Sequence, residues 1–161
     1  KKIINFDFKR KYGVFEQEQY YYKLNLLDTS NPIWRGTKAC VKKFLKSPQW
    51  LRELKIKRRP MWRIDKVNLN YSIKNGGWHF CNLKTPSQLL FKYKNLCEYK
   101  DNYVFFSKID ENFLNEKVIE KNVQSQKDII GRNFIFKKKK IDSSYPMYIL
   151  NNIKIFKDWI I

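Results

Sequence analysis

Histidine is almost missing from this chain, cysteine is scarce, and acidic residues are heavily outnumbered: 1 His, 3 Cys and 15 Asp+Glu stand against 34 Lys+Arg in 161 residues. Cys40, Cys81 and Cys97 are odd in number and widely spaced, so they match neither a disulfide framework nor a short-spaced zinc pattern. They read as reduced, structural thiols of a cytosolic protein. A single His without a close Cys pair makes a zinc centre a poor expectation. No apolar run reaches the length of a membrane-spanning helix, and no secretory signal is visible. The Asp-x-Asp pair that can hold Mg²⁺ or Mn²⁺ on a diphosphate is missing; Asp7 and Asp28 stand alone. A nucleophile elbow, a P-loop and a dinucleotide fingerprint are missing as well.

What remains is an apolar, aromatic and strongly basic chain. Hydrophobic residues make up 43% and aromatics 17%, which argues against global disorder and for a real core. The length suits one domain, taken as residues 1–161. The net charge of +19 creates a field that attracts nucleic acid, anionic lipid or phosphorylated ligands. The lysines are spread along the chain apart from Lys137 to Lys140, which by itself reads as a solvated strand face. Lys, Asn and Ile all have A/T-rich codons, so the same charge also reads as genome composition. The chain opens Lys1-Lys2-Ile3 without Met, directly in structured-looking sequence, and is expected to be a piece of a longer protein.

Residues 3–15 suit a short helix or strand. Glu18 to Leu27, rich in Tyr and Leu, reads as a strand, followed by a turn cluster from Asp28 to Pro32. A second strand is expected over Thr37 to Leu45. Ser47-Pro48 supplies an N-cap and a Pro at the first helical position, predicting a short helix over Gln49 to Leu54. Leu69 to Ile73 and Trp78 to Leu83 read as strands on either side of Gly76-Gly77. Thr85-Pro86-Ser87-Gln88 is a capping box, and Leu89, Leu90, Tyr93, Leu96 and Cys97 follow at helical spacing. A further helix is expected from Asp110 to about Asn122, with Phe113, Leu114 and Val118 inward. A strand follows at Phe134-Ile135-Phe136, extended by the lysine run. Tyr145-Pro146 opens a last helix with Ile149, Leu150, Ile153 and Phe156 inward. Mixed strands and helices imply an α/β or α+β domain.

The stretch Ile73-Lys74-Asn75-Gly76-Gly77-Trp78-His79-Phe80 concentrates the chemistry. A Gly pair lets backbone turn sharply or come close to a ligand. Trp78 adds a flat apolar face and His79 a titratable ring. The plain alternative is a strand with a turn, a core Trp and a satisfied His. Trp34-Arg35-Gly36-Thr37 forms a second cluster, in which Arg35 could pair with a phosphate or carboxylate and Trp34 could stack on a sugar; taken alone, a turn with a partly buried Trp is the favoured reading. Asp65, in Trp62-Arg63-Ile64-Asp65, is a candidate general base or half of a surface ion pair.

Taken in order, several motifs resemble the C-terminal part of the family 17 glycosyltransferases, the enzymes related to β-1,4-mannosyl-glycoprotein β-1,4-N-acetylglucosaminyltransferase. They are Phe15-Glu16-Gln17 leading into Tyr20-Tyr21-Tyr22-Lys23-Leu24-Asn25, then Trp34-Arg35-Gly36, then Ser47-Pro48-Gln49-Trp50-Leu51-Arg52. Asn75-Gly76-Gly77-Trp78-His79-Phe80, Lys127-Asp128-Ile129-Ile130-Gly131-Arg132 and Ile141-Asp142-Ser143-Ser144-Tyr145-Pro146 complete the set. The match runs over nearly the whole chain, and bacterial members look closer than animal ones. The resemblance implies an α/β fold: the C-terminal part of a GT-A-like nucleotide-sugar transferase, a mixed sheet with flanking helices whose Rossmann-like half lies upstream of Lys1. It implies inverting transfer of N-acetylglucosamine or another sugar from a nucleotide-sugar donor to a glycan acceptor. A divalent metal, Mg²⁺ or Mn²⁺, would be held mainly by upstream residues, with His79 a candidate additional ligand. Gly76, Gly77, Trp78, His79, Trp34 and Arg35 would bind substrate, and Asp65 and Glu98 are candidate bases.

The resemblance also implies no nucleic-acid partner, no membrane span in this segment, and a cytoplasmic location or one at the inner membrane surface, whereas animal relatives are Golgi membrane proteins. One departure stands out. Where family members often carry a Ser-His-x-Glu-like element, this chain has Leu96-Cys97-Glu98-Tyr99-Lys100, without the His and with Lys at the acidic position. That departure motivates an alternative, a non-catalytic carbohydrate-binding relative. The charge and interleaved aromatics motivate another, a basic nucleic-acid-binding module.

Overall fold

The computed structural model describes residue 7 and residues 9–57, 60, 62, 67, 69, 71–95 and 114–161. Within these residues the chain is mixed α/β, with two sheets and four α-helices. The strands are β1 (Tyr12–Phe15), β2 (Gln17–Tyr21), β3 (Leu26–Asp28), β4 (Ile33–Trp34), β5 (Lys38–Cys40), β6 (Ser72–Ile73), β7 (Trp78–Cys81) and β8 (Phe136–Lys138). The helices are α1 (Pro48–Glu53), α2 (Pro86–Asn95), α3 (Glu116–Gln124) and α4 (Met147–Asn151). They fold into two compact units, one of residues 1–18 and 33–79, the other of residues 19–32 and 80–161.

In the first unit β1 is the middle strand of three. It pairs antiparallel with β5 (Tyr12↔Cys40, Val14↔Lys38) and parallel with β6 (Val14↔Ser72, Phe15↔Ile73). Phe15 and Ile73 are buried together, with Ala39, Val41 and Tyr71 packed on them. β4 runs antiparallel to the start of β2, with Gln17 opposite Trp34 and Glu18 opposite Ile33. The strand expected from Thr37 to Leu45 stops at Cys40, and Lys42–Phe44 closes into a 3₁₀ turn. The α1 cap is as the sequence predicts: the Ser47 hydroxyl accepts from the Trp50 amide at 3.1 Å, with Pro48 in the first turn.

The second unit holds the larger core. The single strand expected over Glu18 to Leu27 is instead a hairpin, with Tyr20 opposite Leu27. Its turn needs Tyr22 at φ 62°, a left-handed conformation that a β-propensity argument does not anticipate. Tertiary hydrogen bonds hold that turn: the Tyr22 amide donates to the Cys81 carbonyl at 3.0 Å and the Leu24 amide to the Trp159 carbonyl at 2.7 Å. β3 continues antiparallel to β8 (Leu26↔Lys138, Asp28↔Phe136). Helices α2 and α3 cover an apolar cluster that includes Tyr22, Leu26, Leu89, Ile119, Ile129 and Phe136. The capping box closes reciprocally: the Gln88 side chain accepts from the Thr85 amide at 3.1 Å, and the Thr85 hydroxyl from the Gln88 amide at 3.3 Å. α3 begins later than expected, where Asn115 caps it by accepting from the Val118 amide at 3.0 Å. It turns Ile119 and Val123 inward, with Val118 only partly buried. Residues 96–113, including Leu96, Cys97 and Phe113, lie outside the described residues. The last helix is short. Ile149 is buried, but α4 ends at Asn151, and Ile153 lies 39% exposed instead of facing inward.

Candidate functional site

Two of the clusters picked out in the sequence meet in the first unit. Trp34, on β4, and His79, on β7, lie face to face with ring centroids 3.8 Å apart and planes 4° from parallel. Both side chains are half-buried. Burial pushes the His79 pKa below its ordinary value of 6.5, favouring the neutral imidazole. A neutral ring carries one N–H donor and one lone-pair acceptor, so it can take a hydroxyl in either sense. Among the described residues no hydrogen-bond partner is found for the His79 ring.

The backbone around the pair is tightly specified. Gly36 lies against the Trp34 indole so closely that a Cβ there would come within 1.9 Å of its Cζ2. Opposite, residues 73–77 bend around Glu16 and Glu18. The Glu16 amide donates to the Ile73 carbonyl at 3.0 Å, the Gly76 amide to the Glu16 carbonyl at 2.6 Å, and the Glu18 amide to the Gly77 carbonyl at 3.0 Å. Gly77 takes φ +127°, which an L side chain rarely adopts, and this returns the chain into β7. Successive residues of a strand face opposite ways, so Trp78 points away from the side on which His79 meets Trp34. The expected Gly-Gly-Trp-His grouping is thus realised with Trp34 as the aromatic partner of His79.

Arg35 does not reach out for an anion. Its Nε and Nη2 both donate to Glu16 Oε1, at 3.0 and 2.9 Å. The Arg35 guanidinium bonded to it holds the Glu16 carboxyl below the usual carboxylate range. With the Arg35 side chain 51% exposed, this pair contributes orientation more than stability. Gln17 joins the group by accepting from the Thr37 hydroxyl at 2.8 Å. Asp65 and Glu98, the candidate bases, lie outside the described residues, as does the Leu96 to Lys100 stretch. Among the described residues no group of three or more His, Cys, Asp or Glu is arranged to hold a metal ion.

The second unit carries a polar cluster that the sequence reading did not single out as a site. Asp128 accepts from the Tyr22 hydroxyl at 2.7 Å, from Arg132 Nη2 at 2.7 Å, and from the amides of Ile130 and Arg132 at 3.1 and 3.0 Å. Burial pulls the Asp128 pKa up, but the hydrogen bonds from Arg132 and Tyr22 outweigh it and hold the carboxylate ionised. The guanidinium also lies 4.3 Å from the Phe134 ring centroid. With its oxygens occupied from several sides, Asp128 acts as an anchor for the loop after α3. The signal was present: an Asp and an Arg four apart, in an otherwise apolar run, seldom enter a core unless paired.

Comparison of the chain with protein-family models, with curated proteins and with solved structures gives no match.

Proposed function

We propose that this chain is a segment of a family 17-type glycosyltransferase, in which the Trp34–His79 cluster forms part of the wall of the acceptor site. The observation that carries the reading is the meeting of Trp34-Arg35-Gly36 with Gly76-Gly77-Trp78-His79. Two motifs far apart in sequence, both quoted for the resemblance, share one half-buried spot around an imidazole that burial keeps in its neutral form. The intact protein would transfer a sugar, N-acetylglucosamine by resemblance, from a nucleotide-sugar donor to a glycan acceptor with inversion.

In this reading the neutral His79 orients an acceptor hydroxyl. Trp34 holds the imidazole by its face, so the His79 edge is presented and the covered face of the indole is closed to a sugar ring. Arg35 and Glu16 brace the strand that carries Trp34. Glu16 is a poor general base, because its depressed pKa makes it a weak proton acceptor near neutrality. The acceptor proton is assigned to another carboxylate, with Asp65 and Glu98 the candidates. A divalent cation, when bound, would offset the charge of the leaving diphosphate; its main ligands are placed outside this segment, and His79 offers at most a single nitrogen.

The test is donor-dependent transfer by the intact protein across a panel of nucleotide sugars with Mg²⁺ or Mn²⁺. Transfer to a glycan is expected, and none across the panel would refute the proposal. His79→Ala should lower kcat/KM by at least about tenfold, through loss of a hydroxyl contact and of its orientation. His79→Phe keeps a flat ring on Trp34 without the nitrogens, and is expected to keep the melting temperature while losing the same activity. A His79→Phe enzyme with full activity would make His79 a packing residue only.

A further inference from the structure

The C-terminal stretch of the second unit presents large apolar side chains to solvent from a well-anchored backbone. Met147, Tyr148 and Ile155 are 67%, 68% and 69% exposed. Met147 and Tyr148 are adjacent on α4, and the Tyr148 ring meets Phe156, the neighbour of Ile155, with centroids 5.9 Å apart, so the three lie on one short stretch. The stretch is pinned from within. Tyr145 and Ile149 are buried. The Asn25 side chain donates to the Ile161 carbonyl at 2.9 Å and accepts from its amide at 3.0 Å, and Lys23 Nζ donates to the Asp158 carbonyl at 2.6 Å. The apolar side chains are therefore held outward on a rigid support.

Exposed lysines accompany this stretch. Lys154 and Lys157 lie in the stretch itself, and both are exposed. The strand-end lysines Lys137, Lys138 and Lys140 are exposed too, and Lys139 joins them to the stretch, with Nζ 5.8 Å from the Tyr145 ring centroid. Asp142 and Asp158, both exposed, oppose them. Exposed apolar and aromatic side chains on a lysine-rich stretch suit an interface with an acyl boundary below and anionic headgroups beside it. Nucleic acid could stack on Tyr148, but Met147 and Ile155 offer neither a phosphate contact nor a stacking face, so two of the three exposed apolar side chains would go unused.

We infer that this face docks the protein peripherally on an anionic bilayer, with Met147, Tyr148 and Ile155 entering the interfacial layer and the flanking lysines pairing with headgroups. The inference stands independently of sugar transfer and is tested without an activity assay. The full chain is mixed with neutral phosphatidylcholine vesicles and with vesicles containing about a third phosphatidylglycerol, at about 0.15 M salt, and sedimented. Partition onto the anionic vesicles only is expected. The triple variant Met147→Ser, Tyr148→Ser, Ile155→Ser should lower that partition at least about tenfold. Lys138→Glu with Lys154→Glu should lower it by about fivefold or more per lysine.

A single Met147→Trp variant supplies a reading that does not depend on the triple variant's folding: its emission, taken as the difference from the parent with its five tryptophans, should shift to the blue on anionic vesicles and stay put on neutral ones. The inference is overturned by failure to bind anionic vesicles, or by a triple variant that keeps its fold and binds as well as the parent. It is overturned equally by self-association, or by binding to poly(U), that the apolar variant abolishes while vesicle binding persists.

Discussion

Gly36→Ala is the sharpest perturbation of the Trp34–His79 cluster. Gly36 has no positive φ, so alanine carries no backbone strain there. The methyl group would stand 1.9 Å from Trp34 Cζ2 and 2.2 Å from Cη2, well inside contact distance with a rigid ring. The indole has to leave. Its departure removes the ring stack, about 0.5–1.5 kcal/mol, and part of the apolar burial of a half-buried Trp, about another 1 kcal/mol. A destabilisation of about 2 kcal/mol follows, read as a lower urea midpoint for the first unit.

The diagnostic signal is His79, which is the single histidine and so gives unambiguous ring-proton resonances. In the parent these are shielded by the indole at 3.8 Å. In Gly36→Ala they should move downfield, and the imidazole pKa should rise toward 6.5 as burial is relieved. Gly131→Ala is the control. A Cβ there meets nothing within 4 Å but sits at φ +75°, so it should cost about 1–2 kcal/mol of backbone strain and leave the His79 resonances unmoved. A Gly36→Ala protein with parental stability and parental His79 shifts would refute the packing described for Trp34.

Further outcomes follow from the charged groups. Asp128→Asn leaves the Arg132 guanidinium without its carboxylate and turns an NH₂ toward groups that donate, so the protein should lose about 3 kcal/mol, measured by urea unfolding. A loss below about 1 kcal/mol would show that the cluster is solvated. Because the folded Asp128 pKa is depressed, its contribution is complete above the unfolded value of about 3.9 and disappears as pH falls through the folded value; Asp128→Asn should flatten that acid limb. His79 also has a depressed folded pKa, but as a base: the unfolded chain binds its proton first on acidification. Stability should therefore fall as pH drops from about 6.5 toward the folded pKa, and His79→Phe should remove that slope.

Local signals in the chain were reliable where their physics is local. The Ser47-Pro48 cap and the Thr85–Gln88 capping box form within four residues, so no distant partner is needed. The mixed α/β character follows from the same short-range patterns. The hairpin at Tyr22 was not legible, because a tyrosine run has strand propensity throughout. Besides local bonds, the turn is held by the Cys81 and Trp159 carbonyls, which take the amides of Tyr22 and Leu24. The short α4 likewise ends before its apolar pattern does, leaving Ile155 outside.

By itself the sequence determined the composition of the candidate site, namely a lone His beside a Gly pair, and Trp34-Arg35-Gly36 elsewhere. It could not say that Trp34, and not the adjacent Trp78, covers His79. Strand alternation turns neighbours apart, and β-pairing brings β4 back beside the start of β2, so tertiary register made that choice. It likewise supplied Arg35 but not its use, since only the fold places Glu16 within 2.9 Å and turns a candidate anion binder into a brace. Residue types set which interactions are available; the closure of distant segments, governed by shared burial, decides which of them form.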